Sequence, residues 1–491
     1  MALPAGVDRV HAFVATATSP NCLRVPAVAT QRGQRQVRDF GALPDDNRDD
    51  TDAIQRALDA MRAGETLVFS PGRYQISRSL RVRNPGITIT GANATIHATN
   101  PDDQALVIEA DNTTVSSLTF TAVTDVRRSA AWHSRIVVAA DIGGGNYRYV
   151  YNTVIRDNRI VNAGEPGTPT ANSASAGGIL LMHANGFLVT GNTVVRTLAD
   201  GIHVTAGSKN GRILNNVVRE TGDDMIGVVS YTSSSSPVSP ATVLASWNTR
   251  VENYLVRNIL VAGNQLSGPY WGRGIAVVGG QSITITRNTI DNMPLAAGVF
   301  LAREAGYQTF GVENVLIADN LIRDVQTRSP PYDFHNKFAT ASRTGHAAVE
   351  IQAGVFQGDE EANVAFREAV AVRNVLVRGN VIDRATYTAA RAGVNLVQSL
   401  TLNDGVLRHV VSGEIHNVGF ANNQFNNVMG VNTPGRAALR VPSVELSTRG
   451  VYCTGNNRDG PVYQPSVCKQ AAEPAARGAP LNCSPEGALL Q

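Results

Sequence analysis

The sequence predicts an all-β chain wound as a parallel β-helix, with a short helix capping its N-terminal end. Three observations lead there. First, a step of 24 residues recurs, from Asn192 to Asn216 and from Asn264 to Asn288. Self-similarity at about 20–50 residues marks a repeat architecture. Second, short segments share the form (I/V)-x-(I/V)-x-x-N-x-(I/V), as at Ile259–Leu266, Ile283–Ile290, Val315–Ile322 and Val375–Ile382, with Phe187–Val194 a near match. Alternation gives each one a buried face. The Asn falls at a corner, where its side chain can bond the backbone and left-handed dihedrals are tolerated. Third, a second column of strands opens on glycine: Gly178-Ile179, Gly201-Ile202, Gly274-Ile275, Gly298-Val299 and Gly393-Val394, with Met225-Ile226 in the same place. At ~3.3 Å per residue, such a repeat suits three short strands and their turns. A β-propeller would show a period of about 40–50 residues instead.

In chain order, residues 1–36 read as an irregular lead-in and 37–75 as an N-terminal cap. Within the cap, Thr51 can cap a helix through Met61, with Ala53, Ile54, Ala57, Leu58 and Met61 on one face. A strand at 65–70 then ends in the turn Pro71-Gly72. Residues 76–460 read as the solenoid and 461–491 as a polar, Pro/Gly-rich tail. Three stretches break the period: Asp125–Tyr151, Tyr231–Asn253 and Gln326–Arg373. Long loops on a regular scaffold are either functional or plain surface excursions.

Composition bounds the partners. The length of 491 residues would suggest about two to four domains, but a solenoid lengthens without a larger core. Charged residues at 17% and hydrophobic ones at 43% describe a packed chain, not a disordered one. A net charge of +3, with no basic run or basic-aromatic stripe, speaks against a nucleic-acid partner. No apolar run reaches the ~18–20 residues of a membrane span, so no membrane partner is expected. The first residues lack a charged segment followed by an apolar one and do not read as a signal peptide. Cys22, Cys453, Cys468 and Cys483 all lie outside the repeats, and their spacing is not that of a metal site. They read either as unpaired thiols or as disulfides tying down the tail. Disulfides would mean an oxidising, secreted or periplasmic location, and sequence does not choose among the three pairings.

The chemistry centres on carboxylates. Aligning Ile202 with Ile226 places Asp200 on Asp224, with Asp223 one residue before. Equivalent positions on adjacent rungs of a parallel stack lie ~4.8 Å apart, so the three should form one patch. Carboxylates that close raise at least one pKa, which turns a carboxyl into a general acid. Asp at stacked corners can also be plain turn chemistry, and an oxygen-rich cluster can hold Ca²⁺. No cofactor or metal is required by the sequence. His203 has the opposite parity from Ile202 and Val204 and should point outward beside the carboxylates, with His183 expected on the rung before it. Arg273 is a candidate partner for a carboxylate or an anionic sugar. Glu350 shares the His203 column several rungs on, suiting a distant subsite. Tyr231, Trp271, Tyr270 and Trp247 are candidate sugar platforms or core residues.

Two motifs carry a resemblance. The order Val37-x-Asp39-Phe40-Gly41-Ala42, Asp49-Asp50-Thr51-x-Ala53-Ile54-Gln55-x-Ala57-Leu58, Val68-x-x-Pro71-Gly72-x-Tyr74 resembles the N-terminal cap of the pectate-lyase superfamily, whose fold is a right-handed parallel β-helix. Ser70 stands where an extra apolar or small residue is usual, and the rest of the pattern is intact. The Asp200 and Gly222-Asp223-Asp224 turns resemble those of polygalacturonase-like glycoside hydrolases. That family next carries Gly-His-Gly and Arg-Ile-Lys. Here Gly272-Arg273-Gly274 stands in the first place and no match in the second, so the resemblance extends to the acid apparatus and not to uronate binding. It implies Asp223 or Asp224 as acid, Asp200 with the remaining Asp as base, and inversion, whereas a one-rung spacing would also suit a retaining pair.

The expected function is hydrolysis of a polysaccharide or oligosaccharide by carboxylate acid/base catalysis. The alternatives are a lyase, an epimerase or a sugar-cyclising transferase on the same fold, and a non-catalytic glycan-binding β-helix. Relatives of this fold include trimers, though nothing in this chain demands a homo-oligomer.

Overall fold

A ladder of side-chain amides runs from Asn158 to Asn456. In the computed structural model, which describes residues 33–124, 126–161, 172–232, 254–328, 342–393, 396–402, 405–428, 439–440, 448–454 and 456, Asn158, Asn192, Asn216, Asn264, Asn288, Asn320, Asn380, Asn423 and Asn456 stack one per rung, each buried. The backbone N–H and the side-chain Nδ2 of each donate to the Oδ1 of the next, as from Asn192 to Asn216 at 3.0 Å in both cases. Nδ2 also donates to a carbonyl of the preceding rung, as from Asn264 to Ile213 at 2.9 Å. These are the corner asparagines of the repeat. Their amides replace backbone hydrogen bonds lost at the bend, which a buried corner cannot leave unpaired.

The fold is a right-handed parallel β-helix. One wall carries the glycine-led column. Its strands include β1 (Leu80–Val82), β2 (Leu106–Ile108), β3 (Ile136–Val138), β4 (Ile179–Met182), β5 (Ile202–Thr205), β6 (Ile226–Val229), β7 (Ile275–Val278), β8 (Val299–Arg303) and β9 (Val349–Phe356), each parallel to the next. Residues of one parity, among them Ile179, Leu181, Ile202, Val204, Ile226 and Val228, enter a single continuous core. Those of the other parity face outward. Glycine is needed at 201, where a Cβ would lie 2.4 Å from Val218 and 2.6 Å from the Met225 carbonyl.

The cap helix α1 (Thr51–Asp59) buries Ala53, Ile54, Ala57 and Leu58 and packs on β1. Met61 is buried just beyond it. Asp50, not Thr51, holds the N-cap position. The Asp50 carboxylate accepts from the N–H groups of Leu43 and Gln75, and the Thr51 hydroxyl accepts from Ser77, so both side chains tie the helix to the first coil instead of capping it. The stack begins before residue 76. Gly33–Gln36, within the expected lead-in, already pairs in parallel with Glu65–Val68.

The period-breaking stretches are only partly excursions. Asp125–Tyr151 contains β3, followed by the antiparallel pair Ala140–Gly143 and Asn146–Arg148. Gln326–Arg373 contains β9 and the short helices Asp359–Ala362 and Val364–Ala369. Three apolar residues at 136–138 are too short a signal to separate a rung from a loop. Residues 233–253, Trp247 among them, the tail, and the four cysteine side chains lie outside the described residues. Asn216 nonetheless bonds Asn264 across a separation of 48 residues, so the insertion there is accommodated without disturbing the ladder. No described helix is long and apolar enough to cross a membrane.

Asn264→Ala should lower the thermal midpoint by several degrees, because it strands the buried donors of Asn216, at about 1–3 kcal/mol per unsatisfied group. An unchanged melting curve would show that the ladder is not what holds the corners.

Candidate active site

Two matching turns build the site. Thr197 and Thr221 stand 24 residues apart, and each hydroxyl donates to the carbonyl two residues on, Ala199 at 2.8 Å and Asp223 at 2.7 Å. The residue after each of those carbonyls is an aspartate, Asp200 in one turn and Asp224 in the other. Pairing of Ile202 with Ile226 and of Ile226 with Ile275 then stacks Asp200, Asp224 and Arg273 on successive rungs. Asp223 joins them, and one carboxylate oxygen from each Asp lies within 4.8 Å of the others.

Each carboxylate has a nitrogen partner. Asp200 Oδ2 bonds Nδ1 of His203, the outward side chain of β5. Gly227 leaves room for this pair, since a Cβ there would meet Asp200 and His203 at 3.2 and 3.3 Å. Asp223 accepts from Arg127 Nη2 at 2.7 Å. Asp224 Oδ1 accepts the Arg273 backbone N–H at 2.7 Å, and Arg273 Nε lies 3.0 Å from the same oxygen, although its N–H does not point along that line. Arg273 Nη2 is 3.5 Å from Glu304, and the guanidinium lies over the Phe300 ring at 4.5 Å. One oxygen from each Asp could still serve as a ligand, so the spacing of the three is compatible with a shared cation.

Burial sets the electrostatics. Asp224 is 6% exposed, and desolvation pushes its carboxyl well above the usual range, against the pull of Arg273 and with help from Asp223 and Asp200. Burial also raises Glu304 and keeps the Tyr231 phenol protonated. The cluster sits in a groove of about 480 Å³ lined by Asp200, His203, Asp223, Asp224, Tyr231, Trp271, Arg273, Glu304 and Tyr307 at one part, and by Ala131, Trp132, Tyr147, Leu180 and Met182 at another. It crosses the rungs from β3 to β8, five steps or roughly 24 Å.

Asp200, Asp223, Asp224, His203, Arg273, Tyr231 and Trp271 thus come together. Two expected residues do not. His183 lies on the rung before His203, as expected, but past the end of its strand, and the register neighbour of His203 is Leu180. His183 follows β4 at a left-handed corner, 8% exposed, under the ring of Tyr147. Glu350 has the expected column position but is fully buried in an ion pair with Arg391 at 2.7 Å, which withdraws it from any subsite. Tyr270 is a buried residue beside the exposed Trp271.

Sequence reading missed Arg127, Glu304 and Tyr307. Glu304 was within reach, because the outward parity of Phe300 and Ala302 on β8 carries on to it. Arg127 was not: it reaches Asp223 from 96 residues away, out of an irregular segment.

A model of the rhamnogalacturonase A/epimerase, pectate lyase-like family matches residues 34–319. No curated protein sequence matches the chain. Among solved structures, the A-module of a mannuronan C-5 epimerase from Azotobacter vinelandii is similar at a TM-score of 0.53 and 16% identity, over 87% of this chain and 100% of that one. A family 28 exopolygalacturonase from Yersinia enterocolitica is similar at 0.50 and 15%, over 88% and 77%. At such identities the likeness is one of fold.

Asp224→Asn tests the burial effect. A native carboxyl with a raised pKa keeps its proton after the unfolded one, at about pH 4, has lost it. Wild-type stability therefore falls as pH rises from there through the raised value. The variant, permanently neutral at this position, should gain on wild type in melting temperature between pH 4 and pH 8. A gap that does not change with pH would mean an ordinary Asp224.

Proposed function

The chain belongs to the rhamnogalacturonase A/epimerase, pectate lyase-like family, and from the geometry of its groove we propose that it is a carbohydrate-active enzyme that hydrolyses glycosidic bonds. One observation carries the reading: a buried, proton-holding Asp224 beside two more accessible carboxyl groups, in a groove that crosses several rungs. Glycoside hydrolysis asks for this division of labour, with one carboxyl giving a proton to the leaving oxygen and another handling the nucleophile. Asp224 is the acid in this account. Asp200, oriented by His203, and Asp223, oriented by Arg127, hold and deprotonate the attacking water. Arg273 keeps Asp224 in place and steadies the charge left when its proton departs. Trp271 and Tyr231 offer faces for a sugar ring.

One oxygen of each Asp lies within 4.8 Å of the others, closer than the ~6.5–9.5 Å usual between the carboxyl groups of an inverting pair. Here two carboxyl groups share the water, so it need not lie between a single acid and a single base, and inversion is retained as the outcome.

A lyase or epimerase is the second reading, favoured by one feature. The Asp200–His203 pair and the protonated Tyr231 line the same groove and could serve as base and acid on either side of a sugar carbon. Reducing ends released from a polysaccharide panel without ultraviolet absorbance from an unsaturated uronate support hydrolysis; that absorbance would replace it with elimination.

Asp200→Asn, Asp223→Asn and Asp224→Asn should each leave the fold intact and cut turnover at least about a hundredfold, the scale of a lost acid–base group. The first-formed product should carry the inverted anomer by proton NMR. Near-wild-type rates in all three variants would remove the assignment, and a retained anomer would make one of the accessible aspartates a nucleophile.

A further inference from the structure

We propose that the groove takes an uncharged glycan, one that lays an apolar face or an ester group over Leu180 and Met182, and not a polyuronate. This deepens the reading of the groove as a glycan site and rests on it. Two observations carry it.

The first is charge. Among the described residues, the guanidinium or ammonium groups that line the groove belong to Arg127, Arg128 and Arg273. Each is already committed: Arg127 to Asp223 at 2.7 Å, Arg128 to Asp102 at 2.5 Å, and Arg273 to Asp224 at 3.0 Å and Glu304 at 3.5 Å. The same groove is lined by four carboxyl groups, Asp200, Asp223, Asp224 and Glu304. A sugar carboxylate entering it would meet acids and find no cation to itself. Recruiting Arg127 or Arg128 would mean breaking an ion pair, and Arg273 is held in the wall between Asp224, Glu304 and the Phe300 ring.

The second is the character of the other part of the groove. The outward side chains of β4, Leu180 and Met182, share their packing with Ala131 and Tyr147 on a small buried cluster of Ala105, Val107, Val137 and Ala139. The Tyr147 ring is held against His183, centroids 5.6 Å apart and planes 12° from parallel. Trp132 stands beside them, 46% exposed. This is a firm apolar surface with accessible aromatic edges, one to two rungs from the carboxylates. Such a surface rewards the C–H face of a neutral ring or an ester methyl, and it desolvates a charged group without return.

The test is a matched series on one backbone: an α-1,4-linked galacturonate oligosaccharide, its methyl ester and its carboxyl-reduced form. Binding to the full chain is measured by calorimetry at low and at physiological salt. The methyl ester should bind best and the reduced form next, with the acid form weaker than either by at least about tenfold. Met182→Lys, at a partly exposed position, adds an uncommitted cation and should narrow the gap to the acid form. Tightest binding of the acid form by wild type, strengthening as salt falls, would overturn the proposal. Binding is read without turnover. A preference for the neutral forms keeps this proposal whether or not a bond is cleaved; cleavage with a preference for the acid form would overturn it and keep the hydrolase reading.

Discussion

The buried asparagine ladder is the constraint from which the site follows. Parallel strands can slip in register, and a slip of one residue exchanges the inner and outer faces. Here each Asn oxygen accepts from both the backbone and the side chain of the Asn before it, so a slipped rung would leave two buried donors unpaired at every corner. That fixes how rungs far apart in sequence align. Asp200, Asp224 and Arg273 are brought into one column by the same register that keeps Ile202, Ile226 and Ile275 in the core. None of the ladder asparagines lines the groove, yet the register they hold is what gathers the aspartates.

The site works against the stability of its surroundings. Four carboxyl groups are packed around Arg273 and Arg127, and Asp224 and Glu304 are largely removed from water. Buried ionic groups seldom stabilise a fold relative to apolar replacements. The regular stack on either side, with its continuous apolar core, can tolerate the local cost. What the site gains is a carboxyl in the wall whose proton affinity is raised by burial, beside two more accessible ones oriented by His203 and Arg127. Separated proton affinities among neighbouring acids are how one site supplies both an acid and a base.

Much of this was legible in the sequence, for a physical reason. A solenoid turns a sequence period into a spatial column, so the 24-residue step from Asp200 to Asp224 amounts to a distance. The same logic placed His203 outward and Arg273 on the next rung. It failed where the chain leaves the period. His183 lies past the end of its strand, where counting from the rung no longer gives position. Glu350 was placed in the right column, but its burial depends on Arg391, a partner that sequence spacing does not reveal. Strand β3 was hidden because three apolar residues beside a glycine-rich hairpin carry almost no periodic signal. Arg127 reaches the cluster from an irregular segment, and no repeat could have pointed to it.

The central claim is that burial makes Asp224 hold its proton to higher pH than an ordinary carboxyl. Carbon-13 NMR of the protein labelled at aspartate side-chain carboxyls, with Asp224 assigned by its loss in Asp224→Asn, measures this without a substrate. The account predicts that the Asp224 carboxyl titrates well above the ordinary value of about 4, and that its midpoint moves down when Asp200 or Asp223 is replaced by Asn. An Asp224 that titrates at or below the ordinary value, indifferent to either replacement, would contradict it.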